Sequence, residues 1–179
     1  MKKLIILFIS ITLLYSCSAN ISSENTLTKS NLVGVWNLTS FKMEDTLLEV
    51  TQPGNITLSA TAVGKNLNAK ITFSENPDVA KIEGDLDVEL TYEFGGTQVE
   101  DFNLDESLFT DIFGGTTTSW TLENNTLTFN GSNSNSIDVN VLEFSSNKIV
   151  LSTSITKTTI TIGSSSSEVS GTALMTFEK

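Results

Sequence analysis

"IEGDLDVELTYEF", Ile82 to Phe94, sorts its side chains by parity. Ile82, Leu86, Val88, Leu90, Tyr92 and Phe94 hold even positions, and Glu83, Asp85, Asp87, Glu89 and Glu93 hold odd ones. A period of two is that of an extended strand with one face on an apolar core and the other in water. The row of acids has a second reading, a cation site. Calcium takes roughly six to eight oxygens converging on one point, whereas side chains two apart on a strand lie about 7 Å from each other. That spacing favours a wet face, on which acids also discourage a strand edge from pairing with another chain.

The same period runs outward from this stretch. "NITLSATAV" puts Ile56, Leu58, Ala60 and Ala62 on one face, and "NLNAKITF" does so with Leu67, Ala69, Ile71 and Phe73. Gly64–Lys65 between them reads as a turn, as do "SENPD" and Gly95–Gly96. "SWTLENNTLTF" is a hairpin around Asn124–Asn125 that sets Trp120 against Phe129 and Leu122 against Leu127. "LEFSSNKIVL" turns at Ser146–Asn147, with Phe144 facing Ile149 and Leu142 facing Leu151. Ile137, Val139 and Val141 lie on the other parity, which a bulge near Val141–Leu142 would reconcile. "GSSSS" reads as a loop before a closing strand with Val169, Ala173, Met175 and Phe177 on one face. "NLDESLFTDIFGG" breaks the pattern. Leu104, Leu108 and Ile112 recur every fourth residue, Asn103 and Glu106 look like a capping pair, and Gly114–Gly115 is a stop, so one short helix is expected here.

Composition narrows the function classes. A net charge of −11 opposes nucleic-acid binding, which needs a basic face. The 179 residues include no His and no Arg, so Ser–His and Cys–His catalysis, the commonest metal ligand and the bidentate anion clamp are all missing. "DFNLDE", from Asp101, starts like a calcium loop, but Glu106 replaces the turn glycine and Ile112 the bidentate Glu. No glycine-rich phosphate loop links a strand to a helix. A carboxylate pair for glycoside hydrolysis stays open, because two acids need only meet in space. The expectation is a protein that is not an enzyme, with no catalytic, metal or cofactor site.

Cys17, the only cysteine, follows Lys2, Lys3 and the apolar run "LIILFISITLLY", whose length suits a signal-peptide core. "LLYSC" resembles the lipobox of bacterial lipoproteins: Leu14 stands three before the cysteine and Ser16 just before it, with Tyr15 where a small or branched residue is usual. The resemblance implies a signal peptide over 1–16, cleavage before Cys17, lipid on that residue and a polar tether over 17–30. Ser18 in place of Asp favours the outer membrane, with periplasmic or surface exposure undecided. The membrane partner would then be reached through lipid on Cys17.

"NLVGVWNLTSFKM", Asn31 to Met43, carries a second resemblance. Gly34-Val35-Trp36 is similar to the G-x-W that opens the first strand of lipocalins, and Trp120 to Phe129 with "LEFSSNKIVLS" resembles the lipocalin-like domains of Gram-negative lipoproteins. Two family features are missing: the Arg that packs over the Trp, and the T-D-Y motif. The resemblance implies an all-β fold over 31–179, an antiparallel up-and-down lipocalin-like barrel with about eight to ten strands and one short helix. Gly34 and Trp36 would be structural, with Trp36 sealing one end. "DTL", Asp45 to Leu47, resembles an acceptor for O-linked sugar but also reads as a plain turn. The expected function is binding of a small apolar ligand, with Tyr92, Phe94, Trp120 and Phe129 available to line the cavity. The alternative is a structural or protein-interaction envelope lipoprotein whose barrel is filled by its own side chains, its protein partner unknown.

Overall fold

The alternation at Ile82–Phe94 lies in strand β3 (Val79–Glu93). Ile82, Leu86, Val88 and Leu90 are fully buried, while the acids between them stay partly in solvent. The computed structural model describes residues 26–50, 55–131, 136–162 and 165–179. The expected signal peptide, Cys17 and most of the tether therefore lie outside the described residues.

A short helix α1 (Lys29–Leu32) leads into β1 (Gly34–Val50), followed by β2 (Ile56–Ser74), β3 and β4 (Thr97–Leu104). Helix α2 (Glu106–Asp111) comes next, then β5 (Thr117–Glu123), β6 (Thr126–Asn130), β7 (Ser136–Phe144), β8 (Lys148–Ile162) and β9 (Ser165–Glu178). Neighbours pair antiparallel in one sheet that returns on itself, since β1 holds β2 on one edge and β9 on the other, and β2 also pairs with β3. This is an up-and-down barrel. One edge of β3 pairs with β2 along its length. Its other edge is divided: Val79–Lys81 pair with β5, and Leu86–Glu93 pair with β4. Helix α2 bridges the step between those two partners.

Several details correct the sequence reading. Gly64–Lys65 is not a turn; β2 runs unbroken through it. The change of parity between Ala62 and Leu67 comes from a bulge at Lys65–Asn68, where Asn66 takes φ +46°. Gly64 is small for a packing reason, because a Cβ there would sit 2.8 Å from Phe41 Cβ. The bulge expected near Val141–Leu142 is present, but Val141 is the residue opposite Leu151, and Leu142 is turned outward and exposed. The cap of α2 is Asp105, whose carboxylate accepts the Leu108 N–H at 2.9 Å; Asn103 belongs to β4. Ser165, Ser166 and Ser167 belong to β9 rather than to a loop. "DTL" is a bulge in β1, with Asp45 at φ +51° and Thr46 buried, so its hydroxyl is out of reach of a sugar transferase. Residues at the end of the expected tether are tied to the barrel: Leu27 packs on the core and Lys29 pairs with Asp78 at 2.6 Å.

The interior is filled unevenly. At the end where the chain enters, Trp120, Phe73, Phe129, Phe113 and Phe109 form a continuous aromatic file with centroid spacings of 5.2–6.1 Å. Trp36 is fully buried beside Phe144. Both indole N–H groups find backbone carbonyls, Trp36 on Leu32 at 2.6 Å and Trp120 on Ser74 at 3.2 Å, so neither ring carries an unpaired donor inside. Gly34 has φ +127°, a conformation only glycine takes without strain. With no Arg in the chain, the face of Trp36 is covered by Lys179, whose Nζ lies 4.5 Å from the ring centroid and donates to the Asn31 and Val33 carbonyls. Phe129→Ala is expected to lower the unfolding free energy by about 3–5 kcal/mol in urea denaturation, with the slope against denaturant unchanged; a loss below about 1 kcal/mol would show that this file does not hold the packed end.

Candidate functional site

The acidic face of β3 is answered by β2. Lys65 bonds Glu89, Asn66 donates to Asp87 at 2.8 Å, Asn68 donates to Asp85 at 3.3 Å, and Lys70 lies 3.7 Å from Glu83. Asn103 on β4 gives Asp87 a second donor at 2.9 Å, and Lys81 pairs with Glu83 at 2.8 Å. Each of these carboxylates already has a protein partner, so the row is a cross-strand ladder. Among the described residues no group of three or more His, Cys, Asp or Glu side chains converges as metal ligands. Two of the three "DFNLDE" acids are likewise engaged: Asp101 lies 3.9 Å from Lys65 and Asp105 caps α2.

Beyond Leu90 a cavity opens between the strands. The ends of β1, β2, β3, β8 and β9 frame a mouth with a cavity of about 170 Å³. Its lining is Val50, Leu58, Tyr92, Phe94, Ile162 and Ser167. The reason is side-chain volume. At the closed end the strands supply Trp and Phe, whereas here β1 and β2 supply Val50, Leu58 and Ala60, which cannot span the interior. Burial, and then the nearby charge of Glu100, push the Tyr92 phenol above its ordinary pKa. The Ser167 hydroxyl is buried and has no hydrogen-bond partner among the described residues.

Of the four residues expected to line a cavity, the structure brings Tyr92 and Phe94 to this mouth. Phe94 is 56 % exposed at the strand end, on the rim rather than inside. Trp120 and Phe129 lie at the opposite, packed end and face each other across β5 and β6. Val50, Leu58, Ile162 and Ser167 were missed. Alternation could have found Val50, which continues the inward row of Thr46 and Leu48; Ser167 was hidden in a run of serines.

A second concavity, of about 480 Å³, lies outside the wall between α2 and the bulged part of β8, against Leu108, Asp111, Ile112, Ile137 and residues 154–159. Behind it, between Phe102, Leu104, Ile155 and Val169, the interior shrinks to about 10 Å³, the limit for a single water. The groove and this narrow interior share Leu108, Ile112, Ile155 and Thr158, and none of these residues lines the mouth.

A single sheet closed into an up-and-down barrel and opened by a G-x-W strand defines the class of fold. A family model described as a lipocalin-like domain matches residues 32–151, about two thirds of the chain, and the protein belongs to that family. No curated protein and no solved structure gives a significant match.

The ladder predicts a pH profile. Hydrogen bonds from Lys81 hold Glu83 below its ordinary pKa, and those from Asn66 and then Asn103 do the same for Asp87. Their stabilisation is present above the unfolded carboxylate values, about 4, and is lost as pH falls through the lowered folded values. Lys65, bonded to Glu89, and Lys157, bonded to Glu49 and Glu168, are raised. Their contribution is present below the ordinary lysine value of 10.5 and is lost as pH rises through the raised ones. The thermal midpoint should be level between roughly pH 5 and 9 and fall on both sides. Asn66→Ala with Asn103→Ala should flatten the acid limb; an unchanged limb would mean that these donors do not hold Asp87.

Proposed function

We propose that this protein is a lipid-anchored carrier that holds a small apolar ligand in the mouth of its barrel. The observation that carries the reading is the asymmetric filling: one end is closed by a file of aromatics, and the other keeps an apolar cavity of about 170 Å³. A cavity of about 150 Å³ lined by aliphatic and aromatic side chains stays dry and takes up benzene. The mouth therefore suits a body of roughly six to ten non-hydrogen atoms, or one end of a longer molecule. The reading is a binding protein rather than an enzyme, and what supports it is that most of the described residues lining the mouth are apolar.

The anchor rests on the lipobox-like "LLYSC" ending at Cys17. A thioether-linked diacylglycerol with a further acyl chain on the amino group exceeds the two-chain requirement for stable membrane attachment. The first described residues lead through α1 into the packed end, where Trp36 sits. The outer membrane is the membrane proposed, on the strength of Ser18. The packed file of aromatics favours a second reading, an envelope protein with a filled barrel that acts through its surface.

Native mass spectrometry of the full chain, extracted from bacterial membranes, tests both parts. Expected are acyl groups on Cys17 and a retained small molecule, which Leu58→Trp should expel by filling the mouth. Wild-type protein that stays empty when supplied with apolar compounds, and that resembles Leu58→Trp in every spectrum, would leave the filled-barrel reading. Cys17→Ala should abolish incorporation of labelled palmitate into the protein; a variant that still takes up the label would sink the lipid anchor on Cys17.

A further inference from the structure

We propose that the mouth selects an uncharged molecule with an apolar body and a single hydroxyl or carbonyl group, which bonds to the hydroxyl of Ser167. The inference rests on the mouth being the ligand site and adds the chemistry of the ligand.

Ser167 is 1 % exposed, its Oγ has no partner among the described residues, and it lines the cavity; the Thr46 and Thr118 hydroxyls are likewise unpartnered there, but neither lines the mouth. It sits opposite Val50 on β1 and Ile160 on β8, so the strands beside it offer apolar neighbours. A buried hydroxyl without a partner costs free energy, and a bound group that supplies one recovers it. Buried polar groups in folded proteins are nearly always satisfied, which makes an orphan facing a cavity a pointer to something the cavity receives. Either a hydroxyl or a carbonyl fits, since a serine can donate or accept.

Charge narrows the class further. Among the described residues no lysine lines the cavity, and the chain has no arginine. The surrounding strand ends carry Glu49, Glu93, Glu100 and Glu168. Lys157 stands among them already bonded to Glu49 at 2.7 Å and Glu168 at 3.1 Å. Glu100 shares the inward parity of Phe102 and Leu104 on β4 and pairs with Leu90 in register, one step from Tyr92. A carboxylate entering here would lose water, gain no cation and meet fixed negative charge. An ammonium would also be stripped of water, with one serine oxygen in exchange for its hydration shell. A neutral group avoids both penalties, and the Tyr92 phenol, held in its protonated form, remains a second neutral hydrogen-bonding group at the rim.

Isothermal titration calorimetry on the full chain with toluene, benzyl alcohol, benzoate and benzylammonium separates these terms. In the wild type, benzyl alcohol should bind about tenfold more tightly than toluene or either ion. In Ser167→Ala, toluene should keep its affinity and the alcohol should come within about twofold of it. Equal affinity for toluene and the alcohol in the wild type, a preference that survives Ser167→Ala, or an ion that binds as tightly as the alcohol would each overturn the assignment while leaving the mouth as a site. Failure of all four compounds to bind would remove the mouth itself. Ser167→Ala should also unfold at or above the wild-type denaturant midpoint, because the lost hydroxyl had no partner. A lower midpoint would show that it is bonded in the free protein and would overturn the proposal.

Discussion

β3 gives one edge to β2 and divides the other between two strands, and most of the architecture is a consequence of that division. Where its first residues hold β5, the wall closes through β6 and β7 to β8, and the interior is narrow enough for aromatics to meet. Where its later residues hold β4, the next strand in line has no further hydrogen-bonded neighbour in the described sheet. α2 covers the step, and Phe109 and Phe113 from that segment reach inward to join the aromatic file. Had one strand paired along the whole of β3, neither the helix nor the step would be needed. The alternation at Ile82–Phe94 thus serves both halves: Ile82 belongs to the packed floor, and Tyr92 belongs to the mouth.

The strands bend to make this possible, and the bends are local. Bulges in β1, β2, β7 and β8 each add a residue to one side of a ladder, which increases curvature and reverses parity beyond that point. Close contacts between backbones follow. A Cβ at Gly84 would lie 1.9 Å from the Asn68 carbonyl oxygen, directly beside the β2 bulge, so glycine is needed where the bulged strand leans on β3. On the outer face the same bulge presents Asn66 and Asn68 to Asp87 and Asp85. One irregularity therefore fixes the barrel's curvature, demands a glycine opposite, and supplies partners for two acids that would otherwise repel their neighbours. The individual pairs are exposed and contribute little each; their effect is to make the wet face of β3 compatible with its density of carboxylates.

Parity was legible in the sequence because it is a local property: the inward rows of β3, β5, β6 and β9 can be read from one residue to the next. What parity cannot show is whether a change of phase is a turn or a bulge. At Gly64–Lys65 the glycine suggested a turn, yet the chain continues straight and the glycine answers the bulk of Phe41, a residue far away in sequence. At Val141–Leu142 a bulge could be inferred, since too few residues remained for a turn, but the choice of outward residue depended on Leu151 across the sheet. Lys179 over Trp36 is a contact between the two ends of the domain and leaves no local trace. The mouth was the least legible part. Its walls are ordinary strand positions, and they become a cavity only because the residues opposite are too short to touch them.

That last point bears on how such a container acquires selectivity. An apolar lining discriminates weakly, because removing a methylene from a ligand changes affinity by only about 1–3 kcal/mol. Discrimination comes from polar groups that are costly to leave unsatisfied and from charges that are costly to approach. This chain carries its charge on the outside of the wall, where repulsion between carboxylates is relieved by lysines and asparagines of the neighbouring strand. Close to the rim the relief is incomplete: Lys157 is shared between two carboxylates, and Glu100 points inward without a cation bonded to it among the contacts of the mouth. Field from such groups extends about 8 Å at physiological ionic strength, far enough to cover an opening of this size. The carboxylates on the outside of the wall thus also set the electrostatic field at its mouth.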